Sequence, residues 1–124
     1  MSTVEAALAA IARTETVELR TVTRDGRSIA TPVGATVVGG RVYIRSQRRE
    51  RSMWLRRAIR TPAGAIAADG TSLPVTFTLV DDPAELRRVT AATLAKYGGP
   101  LRSLLLRPAL WWTRRFVVRA TPAG

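Results

Sequence analysis

The chain contains neither cysteine nor histidine. Without cysteine there are no disulfides, no thiolate chemistry and no cysteine metal sites, and a cytoplasmic location is the default expectation. Without histidine, the Ser-His-Asp and Cys-His nucleophile systems and the usual zinc sites cannot be assembled, so no metal is expected. Carboxylates are scarce, with 9 Asp and Glu against 20 Lys and Arg. Asp81 and Asp82 are adjacent at a strand end, so along a strand they point to opposite faces. Any chemistry is therefore left to the reactive atoms of a bound cofactor. No apolar run reaches the roughly 18–20 residues of a membrane span. The N-terminal stretch has the acidic Glu5 and lacks a charged-then-apolar export pattern.

What is present is a 124-residue chain, 46% hydrophobic with mean hydropathy +0.02, a composition that supports one packed core. One domain, residues 1–124, is expected. The basic residues are nineteen Arg and a single Lys, Lys96, giving a net charge of +11. That charge calls for an anionic partner. The dominance of Arg over Lys, beside abundant Ala, is equally the mark of a GC-rich genome.

Hydrophobic periodicity predicts the elements. Val4–Arg13 places Val4, Leu8 and Ile11 at helical spacing, with Ser2 or Thr3 as N-cap. Thr16–Thr23 alternates as a half-buried strand, and Asp25-Gly26 turns it into a strand from Arg27 that runs to the Gly39-Gly40 hairpin turn. Arg41–Ser46 completes a three-stranded meander. Arg51–Arg60 reads as a helix capped by Ser52, with Met53, Trp54, Leu55, Ala58 and Ile59 apolar, ended by Thr61-Pro62. Ala63–Ala68 and Ser72–Val80 pair across Asp69-Gly70, and Asp82-Pro83 opens a helix through Ala95. Leu101–Trp112, interrupted by Pro108, reads as irregular chain with a short helix acting as a lid. It is too short and too sparsely flanked by arginine to suggest a membrane contact. Arg114–Ala120 is the last strand. Six antiparallel strands closing into a small barrel with helices outside follow from this order: a mainly β, α+β fold.

The charge is local. Arg41–Arg60 holds eight Arg and one Glu. A solvated basic surface accounts for such a run, and an anion site where a strand ends and a helix begins accounts for it equally well. Trp54 is most simply core packing, Tyr97 a helix-end packing residue, Lys96 a charge favoured by the helix dipole, and Trp111-Trp112 a buried anchor. The sharper readings put Trp54, Tyr97 and Trp111 around a substrate.

Thr23–Val33 (TRDGRSIATPV) and Arg41–Ser46 (RVYIRS) resemble the split β-barrel superfamily that binds FMN or a deazaflavin coenzyme. Its members include pyridoxamine-phosphate-oxidase-like proteins and deazaflavin-dependent reductases. The order Tyr43–Ser46, Trp54, Gly70 with Val75-Thr76-Phe77, Lys96–Gly98 and Phe116–Pro122 is similar to a subfamily known only as a domain of unknown function. The resemblance implies a homodimer with the cofactor, deazaflavin or FMN, in a cleft between the copies. Thr31, Pro32 and Val33 would face the ring, and Arg45, Ser46, Arg48, Arg51 and Ser52 would hold the phosphate. Met53 or Ser52 stands where many of the reductases carry Lys, and Gly34 where relatives often carry Trp. The function implied is an oxidoreductase acting on a small organic substrate. The alternatives are a non-catalytic binding or sensing barrel and, third, a nucleic-acid-binding protein. For the last, the aromatic-basic interleaving of single-strand binders and any helix-turn-helix pattern are missing.

Overall fold

The computed structural model describes residues 2–113 and 115–123, the side chains of 100–103 excepted. Its strands are β1 (Val17–Val22), β2 (Ser28–Val33), β3 (Thr36–Val38), β4 (Arg41–Arg45), β5 (Ala63–Ala68), β6 (Thr71–Leu79) and β7 (Val117–Pro122). All pair antiparallel in one sheet of order β2-β1-β5-β6-β7-β4-β3. Because β2 and β3 occupy opposite edges yet are joined by Gly34-Ala35 alone, the sheet must curl back on itself. The result is an antiparallel split barrel with flanking helices.

There are seven strands rather than six because the stretch after Arg27 breaks at Gly34-Ala35. The expected meander is replaced by two hairpins, β1–β2 and β3–β4, which do not pair with each other. Gly34 suits the break: a Cβ there would lie 3.2 Å from the Tyr97 hydroxyl oxygen. At Gly39-Gly40 and Asp69-Gly70 both turn residues have positive φ, as two-residue hairpins with right-handed strand twist require.

Four helices flank the sheet: α1 (Thr3–Arg13), α2 (Met53–Arg60), α3 (Pro83–Tyr97) and α4 (Pro100–Trp112). Ser2 caps α1, accepting from the Glu5 amide at 3.1 Å, and Asp82 caps α3, accepting from Ala84. α1 buries Ala7, Ala10 and Ile11, leaving Val4 exposed, because the small alanines let the helix lie close on β5, β6 and β3. α2 buries Trp54, Leu55 and Ala58, while Met53 and Ile59 face out. Leu101–Trp112 belongs to the regular helix α4, with Pro108 inside it. Arg114 lies outside the described residues, and the final strand starts at Val117.

Side chains alternate across β4 and β7. Val42, Ile44, Val118 and Ala120 enter the barrel core with Leu19, Ile66, Leu73 and Val75. Tyr43 and Val117 point outward, packing with Val80 and Val89 beneath α3. Among the described residues, no helix is long and apolar enough to cross a membrane.

Candidate functional site

The outward face of β4 supports a cavity of about 600 Å³ between β2, the arginine loop with α2, and helices α3 and α4. Ligand pockets commonly span about 300–1,000 Å³. Thr31, Pro32 and Val33 come from β2, Arg45 from β4, and Arg48, Arg51 and Ser52 from the loop that follows. Arg57, Trp54, Tyr43 and Tyr97 also line it. Four arginines thus surround the space, and no carboxylate is among its lining residues.

The loop owes its shape to two serines. The Ser46 hydroxyl donates to the Arg49 carbonyl at 2.6 Å, so the Ser52 hydroxyl, 2.5 Å away, donates to Ser46. Ser52 sits at the N-cap position of α2, but its hydroxyl is engaged here and makes no capping bond. Ser46 is fully buried and does not line the cavity. Expected in the phosphate-holding set, it is placed here as a brace within the loop. Within the braced loop Arg49 adopts φ 57°, a left-handed conformation uncommon outside glycine. Its guanidinium stacks 4.4 Å from the Trp112 ring centroid and 4.9 Å from that of Phe116. Arg48 and Arg51 project from the same loop, and their side chains make no hydrogen bond or ion pair among the described residues.

Arg45 and Arg57 are held. Arg57 donates to Thr21 Oγ1 at 2.7 Å. Arg45 donates to the Leu110 carbonyl at 2.9 Å and to Thr90 and Thr113, so it ties β4 to α3 and α4. Its Nε is buried without a partner, and burial lowers its pKa below the ordinary arginine value.

The two tyrosines differ in attachment. Tyr43 donates to Glu85 of α3 at 2.6 Å. Arg119, opposite Tyr43 across the β4–β7 pair, donates to both Glu85 oxygens at 2.9 Å. Burial first, then Glu85, pushes the Tyr43 phenol above its ordinary range. The Tyr43 hydrogen bond, working against burial and joined by Arg119, holds the Glu85 carboxyl low. Tyr97 accepts from the Ala35 amide at 3.1 Å and donates to the Glu15 carbonyl at 2.8 Å. Burial raises its pKa too. Lys96 beside it donates to the Ile11 and Ala35 carbonyls, and burial lowers its pKa. Lys96 and Tyr97 therefore pin the Gly34-Ala35 crossover, and with it the β2 wall of the cavity.

Seven of the eight residues singled out for a cofactor (Thr31, Pro32, Val33, Arg45, Arg48, Arg51 and Ser52) line this one cavity. Trp54 and Tyr97 line it as well, whereas Trp111 lies on a separate groove beside α3. Sequence reasoning missed Arg57, Tyr43 and Glu85. For Arg57 and Tyr43 the signal existed: one is a basic residue inside the charged run, the other sits two residues before Arg45 on the same strand face.

A family model described as "Uncharacterized protein conserved in bacteria (DUF2255)" matches residues 7–110. None of the curated proteins matches the chain. Among solved structures, a conserved hypothetical protein of Mycobacterium tuberculosis, Rv2991, is similar at 22% identity with a TM-score of 0.77. The likeness covers 100% of this chain and 82% of that one. HutZ, described as the heme storage protein of Vibrio cholerae, is 14% identical with a TM-score of 0.74, covering 100% and 92%. A structure described as an F420-H2 dependent reductase, FDR-A, is 12% identical with a TM-score of 0.67, covering 86% and 93%. At these identities the likeness is one of fold alone, that of the split barrel.

Proposed function

We propose, from the premise that this chain belongs to the DUF2255 family of uncharacterized bacterial proteins, that its cavity holds a phosphate-bearing deazaflavin coenzyme or FMN. The protein would then be an oxidoreductase acting on a small organic substrate. The observation that carries this reading is a cavity walled by four arginines and no carboxylate, with Arg48 and Arg51 unengaged among the described residues.

The residues present fit such a group. Arg48 and Arg51, free of competing ion pairs among the described residues, would take the phosphate with forked donors. Thr31, Pro32 and Val33 lie on an edge strand, whose outer backbone groups are unpaired in the sheet and suit the amide-like edge of a flavin-type ring. Trp54 and Val89 supply apolar walls that exclude water. When bound, the coenzyme supplies the hydride or electron pair. Tyr43 and Tyr97 stay protonated at neutral pH, so they position rather than exchange protons. The superfamily arrangement, a homodimer with the coenzyme between copies, is part of the proposal.

The test is fluorescence titration with FMN and with the deazaflavin coenzyme, comparing wild type with Arg48→Ala/Arg51→Ala. Arg45 is left intact because it braces α4. Two charge-assisted hydrogen bonds lost should weaken binding by about a hundredfold or more. Binding of neither coenzyme sinks the proposal.

A second reading, a binding or carrier protein without catalysis, is favoured by one observation: the cavity lining contains no Asp, Glu, His, Cys or Lys to titrate near neutrality. Tight coenzyme binding with no turnover of the reduced form by any acceptor would select it.

A further inference from the structure

Helix α4 has two apolar faces. Leu106 and Leu110 turn inward and line the arginine-walled cavity. Leu104, Leu105, Pro108, Trp111 and Trp112 fall within an arc of roughly 120° at 3.6 residues per turn. That arc faces out: Leu104 is 65% exposed, Leu105 72%, Trp111 62% and Trp112 57%. Only the helical structure reveals it, since the same residues carry no common face in an irregular segment. Next to the arc, an apolar groove of about 1020 Å³ runs between α3 and α4 towards the end of β6. Leu79, Val80, Leu86 and Leu94 line it together with the exposed Arg87, Arg107 and Arg115.

We propose that this face docks on an anionic phospholipid surface. Leucines and tryptophans on one side of a helix, with arginines beside them, form the pattern by which amphipathic helices lie at the headgroup boundary. Helix α4 contains no acidic residue, and the groove is lined by three arginines against one carboxylate, Asp81. An anionic bilayer complements that charge. A second copy packed on this same face does not, because it would set Arg87, Arg107 and Arg115 against their own counterparts. The groove beside the arc, about 1020 Å³ and largely apolar, has room for an acyl chain. Docking here would set the α4 wall of the cavity against the bilayer, while the chain itself stays on the surface.

The experiment is flotation of the full-length protein with extruded vesicles of phosphatidylcholine alone, or with about a quarter phosphatidylglycerol, at low and high salt. Anionic vesicles should bind about tenfold or more protein than neutral ones, with high salt reducing the difference and the tryptophan emission shifting to the blue on binding. Leu104→Ser/Leu105→Ser should reduce binding by about tenfold while its circular dichroism and melting remain those of wild type. Should that variant misfold, Arg107→Glu tests the electrostatic half and should weaken binding by about tenfold. Absence of binding to anionic vesicles overturns the proposal, as does equal binding to neutral ones. So does a solution dimer that Leu104→Ser/Leu105→Ser converts to monomer, which would assign the arc to a second copy. None of these readouts requires a coenzyme, so the result stands apart from the titration of the cavity.

Discussion

Glu85 shows what a single side chain does in this molecule. It is 6% exposed, yet each of its oxygens has a partner, Tyr43 on one strand and Arg119 on the neighbouring one. Removing it leaves Arg119 and a buried phenol unpaired, so Glu85→Ala should cost about 3 kcal/mol of stability, read by chemical denaturation. The acid dependence has a definite sign. Because the folded pKa lies below the ordinary 4.5, the contribution is complete above that value and fades as pH falls through the lower folded value. Glu85→Gln should flatten this part of the stability–pH curve. Tyr97→Phe should cost about 1–3 kcal/mol, since the Ala35 amide loses its acceptor and the Glu15 carbonyl its donor. The Lys96-Tyr97-Gly98 motif was visible in the sequence but its task was not. Ile11, Ala35 and Glu15 lie 61 to 85 positions away, and helical periodicity carries no information over such a distance.

At the scale of elements, turn chemistry was legible and strand interruption was not. Asp69-Gly70 and Gly39-Gly40 announced their hairpins because only certain residues tolerate the required φ. Gly34 gave no such notice, since what it accommodates is a tyrosine arriving from α3. Pro108 misled for a physical reason: it removes one helical hydrogen bond and strains the turn before it, yet α4 continues through it. Pro108→Ala should therefore stabilise the protein, by about 1–3 kcal/mol, seen as a higher melting temperature. Gly64 on β5 has the opposite character. A Cβ there would lie 2.2 Å from the Arg20 backbone oxygen and 2.7 Å from Phe77. Relief would need β1 and β5 to separate, so Gly64→Ala should cost about 3 kcal/mol or prevent folding, scored by the soluble yield and denaturation midpoint.

For the whole molecule, the distribution of charge matters more than its total. The arginines of the 41–60 run do not form one uniform surface: Arg49 stacks on aromatic rings, Arg45 and Arg57 are hydrogen-bonded into the walls, and Arg48 and Arg51 remain unengaged among the described residues. Sequence located the cluster because its density is extreme, but it could not divide it, since the partners Leu110, Thr21 and Trp112 are remote in the chain. If the cavity takes a phosphate-bearing coenzyme, ligand at about a hundredfold over Kd should add about 2.7 kcal/mol of stability, and Arg48→Ala/Arg51→Ala should abolish the gain. The sheet order has its own implication for biosynthesis. β7 stands between β6 and β4, so the β3–β4 hairpin reaches the rest of the sheet through the last strand alone. A nascent chain that has not yet released Val117–Pro122 therefore holds two unjoined half-sheets with open edges. Its vulnerable interval, when chaperones matter most, lasts until that strand has emerged and paired.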